Sequence, residues 1–320
     1  MRFNMRVDQA EGLRRLLVRD HIQVVTVVAG KPGVGRTSTT INLAAAMARS
    51  GKEVLVLDEN QAANNLLDHL GLHAKYDLLD VAQAKCKPRD AVLGANGFSV
   101  LPAARAICSL AQLQQAEQQR LENALDEVSG GVDVVLVDAA MPALSRLGGA
   151  MGQVAVSSSL ASGVSLLVVV DATTSGITDS YAFIKRMALE NARLQFEIVV
   201  NKVSDERAAM MVFGNMAKVA RRNLAARLEY LGCIPQDDRL KRATQLGRSV
   251  VEAFPTSASA KSYLELSQKL LHLPMPQNEA EGGVRTIIKN LMRQVPQPLR
   301  QHSKKVAHDV NYQACTTHQG

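Results

Sequence analysis

The four cysteines of this chain, Cys86, Cys108, Cys233 and Cys315, are scattered and form no CxxC pair. That spacing argues against a zinc site or a disulfide framework and sets the expectation of a reducing cytoplasm. No window of about 18 uninterrupted apolar residues exists, so no segment is expected to span a membrane. The opening MRFNMRVDQAEGLRRLL carries acids and lacks an apolar signal core, which argues against export. No internal repeat is visible.

What is present describes a globular protein: 320 residues, 47% hydrophobic and 21% charged, enough for one large α/β core with terminal appendages. The net charge of +7 is unevenly placed. Residues 1–20 hold five arginines against Asp8, Glu11 and Asp20, and residues 282–320 hold six Lys or Arg against Asp309. The tails, at +2 and +5, carry the whole excess and leave the body formally neutral. An anionic surface met by the tails is therefore expected, not a nucleic-acid groove across the domain. A solvated basic tail with no partner is the alternative for 296–320.

Short β-branched runs punctuate the middle: VVTVVA at 24–29, VLVL at 54–57, VVLV at 134–137, SLLVVV at 165–170 and EIVV at 197–200. Such continuous runs suit strands buried on both faces of a parallel sheet. Helical stretches are expected at 40–50, 110–129, 178–193 and 206–231, then from Ser259 to Leu271 after an LGCIP turn at 231–235. The alternation predicts an α/β, doubly wound, mostly parallel sheet flanked by helices. Ligands of such sheets sit beyond the carboxyl ends of the strands. Four of the five runs lead there into Asp58, Asp138, Asp171 and Asn201.

The fifth leads into GKPGVGRTSTT at 30–40, a phosphate loop between strand and helix whose usual lysine is an arginine. Gly30, Gly33 and Gly35 let backbone N–H groups crowd an oxyanion at a helix N-terminus, with Pro32, Val34 and Ser38 completing the loop. Thr37 offers a hydroxyl to Mg²⁺. Arg36 stands where lysine reaches the β- and γ-phosphates, with a planar fork in place of a compact ammonium.

Together these segments resemble the MinD/ParA class of deviant Walker A P-loop ATPases. Within it they are similar to the MinD-like regulators of flagellar number and placement, the FlhG or FleN branch. The resemblance spans roughly residues 8–295 and implies ATP and Mg²⁺ as ligands. Lys31 matches the class's extra lysine, which reaches a partner's ATP in an ATP-dependent homodimer. VLVLDENQAANNLLDHLGL at 54–72 resembles the second strand and first switch, and VDVVLVDAAMP at 132–142 resembles Walker B and the second switch. The resemblance thus implies Thr37, Asp58 and Asp138 on the metal side. VVNKV at 199–203 and LGCIPQDD at 231–238 imply an adenine cup at Asn201 and Pro235. VVVDATTSGITDSYAFIKRM at 168–187 is close to the flagellar branch.

DQAEGLRRLL at 8–17 is similar to a DQAxxLR helix that this branch uses to stimulate FlhF, a signal-recognition-type GTPase. Asp8, Gln9, Ala10, Leu13 and Arg14 carry the match; an ordinary capped surface helix is the alternative. At 284–295, Val284, Ile287, Ile288, Leu291, Met292 and Val295 recur at helical spacing with Arg285, Lys289 and Arg293 interleaved. This fits an amphipathic helix for the anionic inner membrane, each basic residue contributing about 1 kcal/mol. The alternative is packing back onto the domain. The expected organisation is a partner-activating helix at 1–20, the P-loop domain at 21–273, a linker at 274–283, the amphipathic helix at 284–295 and a basic tail at 296–320. Flagellar switch or regulatory proteins are further partners that the resemblance implies.

Three positions depart from the class. Pro32 removes one loop donor, Arg36 replaces the Walker A lysine, and Asn60 stands where the first switch places the aspartate that activates water. These changes lead to the expectation of nucleotide binding with slow or absent hydrolysis, with Lys31 and Asn60 as the residues nearest the chemistry. A working ATPase in which Arg36 and Lys31 supply the charge is the opposing reading. Other classes considered are a ParA-type DNA-partitioning or other pole-organising ATPase and a non-hydrolysing scaffold. An iron–sulfur reductase of the same fold lacks matching cysteines here.

Overall fold

A computed structural model describes residues 22–62, 65–140, 165–190, 194–224 and 226–274. Eight strands form one sheet in the order β3-β4-β2-β5-β1-β6-β7-β8. The strands are β1 (Gln23–Ala29), β2 (Val54–Asp58), β3 (Leu93–Ala95), β4 (Phe98–Pro102), β5 (Val134–Asp138), β6 (Ser165–Asp171), β7 (Gln195–Val203) and β8 (Arg227–Pro235). Every described pairing is parallel except β3 with β4. All seven residues of β1 are buried, as the uninterrupted run VVTVVA requires of a central strand covered on both faces.

The helices are α1 (Arg36–Arg49), α2 (Leu66–Leu70), α3 (Leu78–Ala82), α4 (Ala104–Ser109), α5 (Gln115–Val128), α6 (Thr174–Glu190), α7 (Glu206–Asn223), α8 (Asp238–Gln245), α9 (Val250–Ala253) and α10 (Ala258–Leu271). Side-chain alternation divides the core between the two faces of the sheet. Val25 and Val27 of β1 join α1 and α10, with Leu43, Met47, Tyr263 and Leu266 buried there. On the other face Leu55, Leu57, Val135 and Val137 pack under α3 and α5, and Val168, Val170 and Ile198 pack under α6 and α7. Each fully buried Leu, Ile or Val contributes about 1.5–3 kcal/mol. These two layers cover the sheet whose carboxyl edge carries the phosphate loop.

The five expected strands are present, and the structure corrects the reading around them. The helix expected over 206–231 ends at Asn223, and the residues expected to turn at 231–235 lie in β8. Pairing along β7 decides this: Leu228, Tyr230 and Cys233 face the α6–α7 layer, while Leu231 and Ile234 face the α1–α10 layer. β3 and β4 are additional to the expected strands, although Asn96–Gly97 joins them, both at positive φ (37° and 99°), as a two-residue hairpin turn demands. α5 begins at Gln115, after a 3₁₀ turn at Leu110–Gln112. α1 begins at Arg36 and not Thr40, because Gly35 takes the left-handed conformation (φ 97°) at its N-cap. No helix among the described residues is long and apolar enough to cross a membrane. The expected helices at 1–20 and 284–295 and the tail at 296–320 lie outside the described residues.

Candidate functional site

The polar strand ends meet in register. Asp58 stands opposite Asp138 on neighbouring β2 and β5, Asp138 also faces Val27 of β1, and Asp171 stands opposite Asn201 on β6 and β7. The loop at 30–35 leaves β1 in the middle of this edge and turns into α1.

Two glycines of the loop are held at left-handed φ, Gly33 at 80° and Gly35 at 97°. A Cβ on Gly33 would enter open space, whereas one on Gly35 would lie 2.3 Å from the Asn201 amide nitrogen. Gly30 is required for close approach: a Cβ there would lie 2.3 Å from the backbone N of Ser180 on α6. The loop is braced from β7. Asn201 Nδ2 donates to Val34 O at 2.8 Å, and Lys202 Nζ donates to Gly33 O at 2.6 Å. Asn201 is thus committed beneath the loop and buried, while Pro235 ends β8 one strand away. Lys202, itself at φ 60°, is a site residue that the sequence pattern does not mark.

Lys31 folds onto its own chain. Its Nζ donates to Ser175 Oγ at 2.7 Å and lies 3.8 Å from Asp171 Oδ2. Thr173 and Ser175, at the start of α6, thereby join the site; nothing in their spacing marks them.

The centre is a buried cluster around Asp138, which is fully excluded from solvent. Arg36 Nε donates to Asp138 Oδ1 at 2.8 Å, Thr37 Oγ1 donates to Oδ2 at 2.8 Å, and Thr40 Oγ1 reaches Oδ1 at 3.3 Å. Thr40 sits one turn after Arg36, an i,i+4 spacing from which its part could have been read. Asn60 Nδ2 donates to Thr37 Oγ1 at 3.4 Å, and its backbone N donates to Asp58 Oδ1 at 3.0 Å. The expected residues Arg36, Thr37, Asp58, Asn60 and Asp138 therefore converge. Burial, and then the neighbouring Asp138 charge, push the Asp58 carboxyl up to about 7. Glu59 is also buried and accepts from Ala140 N at 3.3 Å. His69 on α2 is held below the usual imidazole range, chiefly by burial.

A phosphate chain suits this cradle. α1 has no side-chain cap, whereas Asp205, Asp237, Ser249 and Ser257 cap α7, α8, α9 and α10. Its first N–H groups are free to meet an anion. Arg36 Nη1 is buried without a hydrogen-bond partner, a charged donor in need of an acceptor. A divalent cation suits the arrangement less well. Thr37 and Asp138 are bonded to each other, and the guanidinium already neutralises the acid.

Residues 25–250 match the CobQ/CobB/MinD/ParA nucleotide binding domain (CbiA). The chain is 35% identical over 258 residues to the antiactivator FleN of Pseudomonas aeruginosa, covering 80% of this chain and 89% of that protein. In fold it is similar to the MinD cell division protein of Aquifex aeolicus, with TM-score 0.55 and 23% identity over 80% of this chain and 99% of that one. It is likewise similar to MinD of Pyrococcus horikoshii complexed with Mg-ADP, with TM-score 0.57 and 21% identity over 79% of this chain and 97% of that one. The phosphate loop, the acids at the carboxyl edge and these matches lead to one conclusion: the chain belongs to the CobQ/CobB/MinD/ParA nucleotide-binding domain family.

Proposed function

We propose that this protein is a MinD-like, ATP-binding regulator of flagellar number and placement. The observation that carries the reading is the 35% identity to the antiactivator FleN along 258 residues, 80% of this chain. The cradle geometry supports ATP as the ligand. The uncapped α1 N-terminus and the loop at 30–38 bind the phosphates, Arg36 and Lys31 supply positive charge, and the β7 and β8 ends near Asn201 and Pro235 border the base. Thr37, Asp58 and Asp138, which the resemblance assigns to the metal side, lie together in this cluster, where Arg36 already pairs with Asp138.

Turnover is slow in this reading. Asn60 holds a position from which a carboxylate would accept a proton from water, and an amide cannot do so. Arg36 is already engaged with Asp138. Because phosphoryl transfer rests on positioning and charge neutralisation, binding can persist where hydrolysis fades. The protein then acts by state: bound ATP favours a homodimer through Lys31, and the dimer amplifies the weak membrane affinity of 284–295 through bivalency. The segment carrying Asp8, Gln9, Ala10, Leu13 and Arg14 modulates the FlhF-type GTPase. In this reading the protein is cytoplasmic, with reversible attachment to the inner membrane.

The test is deletion of the gene in its own organism, with flagella per cell counted by electron microscopy. An altered number restored by the wild-type gene is expected; an unchanged number overturns the reading.

A further inference from the structure

Resting on the nucleotide-binding reading above, we propose that Arg36 takes the place of the divalent cation, so that this protein binds ATP without Mg²⁺. Arg36 is the first residue of α1, where the phosphate loop ends, and its guanidinium lies on the acid. Its Nε is 2.8 Å from Asp138 Oδ1, and its Nη1 is buried with no hydrogen-bond partner. A divalent ion in a phosphate loop bridges an acid to a phosphate oxygen. Arg36 has donors for both partners: one face is already on the acid and another is unspent.

The chemistry of the cluster supports the exchange. Both Asp138 oxygens are engaged, Oδ1 by Arg36 and Thr40 and Oδ2 by Thr37, and the residue is closed to solvent. A hydrated Mg²⁺ needs near-octahedral room and keeps several waters, so it could not reach this acid until the guanidinium left. An expelled Arg36 would be a permanent charge separated from its buried partner, because arginine does not deprotonate in proteins. Lysine at this position would offer a single point charge, unable to span acid and phosphate as a planar fork does. The Arg-for-Lys change is thus read as a change of counter-ion, with the loop still binding phosphate.

The experiment is fluorescence titration of the full-length protein with a fluorescent ATP analogue, in excess MgCl₂ and in excess EDTA. Wild-type affinity is expected to change by less than about threefold between the two, and Arg36→Lys to weaken by about tenfold or more on chelation. A wild type that loses about tenfold or more in EDTA overturns the inference while leaving the nucleotide reading intact. A wild type that binds in neither medium overturns both. Asp138→Asn, checked for folding by circular dichroism, is the second variant. Releasing the guanidinium to the phosphates is expected to preserve or tighten binding in EDTA. A loss of binding confined to MgCl₂ would place the metal at Asp138 and overturn the inference.

Discussion

Asp58 and Asp138 stand side by side in register on β2 and β5, and the guanidinium of Arg36 bonds directly to Asp138. Two buried carboxylates this close cannot both remain ionised at low cost. Arg36 bonds directly to only one of the two. Asp138 has the cation and two hydroxyl donors, while Asp58 has backbone N–H groups and a more distant view of Arg36.

That asymmetry sets a pH dependence. The folded Asp58 carboxyl is pushed up to about 7 from an ordinary 3.8, so the native state holds a proton that the unfolded chain has released. With the native state binding more protons, stability falls as pH rises from about 4 to about 7 and is level above that window. Asp58→Asn removes this slope. Melting temperatures of wild type and variant from pH 5 to 8 should diverge in the variant's favour as pH rises towards 7. The divergence amounts to at most about 1.4 kcal/mol for each pH step of one within the window. Parallel curves would contradict the assignment.

Removing Arg36 alone strands a charge in the core. Arg36→Met is expected to lower stability by about 3–5 kcal/mol, the cost of an uncompensated buried partner. In an Asp138→Asn background the same change should cost far less. Urea denaturation of the four proteins gives the coupling, and additive losses would mean that the two residues do not interact.

Gly33 and Gly35 share a left-handed backbone but not the same surroundings. Alanine at either position carries strain of about 1–2 kcal/mol. At Gly35 the new methyl would also collide with the Asn201 amide, which holds Val34 O. Gly35→Ala should therefore be less stable than Gly33→Ala by at least about 1 kcal/mol, the lower range for overpacking. Adding Asn201→Gly should shrink the difference. Equal denaturation midpoints for the two alanine variants would reject this account.

Much of this site is legible in the sequence because the strands that build it are continuous β-branched runs ending in polar residues. Asp58, Asp138, Asp171 and Asn201 can be placed on one edge before any coordinates, and the loop between Gly30 and Arg36 declares itself by its glycines. The direction of Arg36 is not legible, since it depends on an acid 102 positions away. Nor is the brace from Lys202, which follows from the left-handed turn at that residue. β8 is hidden because its apolar spacing continues the helical pattern of α7, and only the open edge of β7 decides between them. The Asn96–Gly97 hairpin, by contrast, carries a local signal, a dipeptide suited to a tight turn, that short flanking strands of three and five residues leave faint.

Lys31 separates a stability role from a binding role. In the single chain its ammonium bonds Ser175 and lies near Asp171, with the side chain about a quarter exposed (23%). A pair of this kind contributes up to about 1 kcal/mol, so Lys31→Ala should unfold almost where the wild type does. In the proposed dimer the same side chain leaves Ser175 and extends to the partner's nucleotide. The exchange costs little because the contact it abandons is weak and solvent can take its place. Light scattering after size-exclusion chromatography with saturating ATP should therefore show a wild-type dimer and a Lys31→Ala monomer of unchanged melting temperature. A variant that dimerises as well as the wild type would confine Lys31 to tethering the phosphate loop to α6.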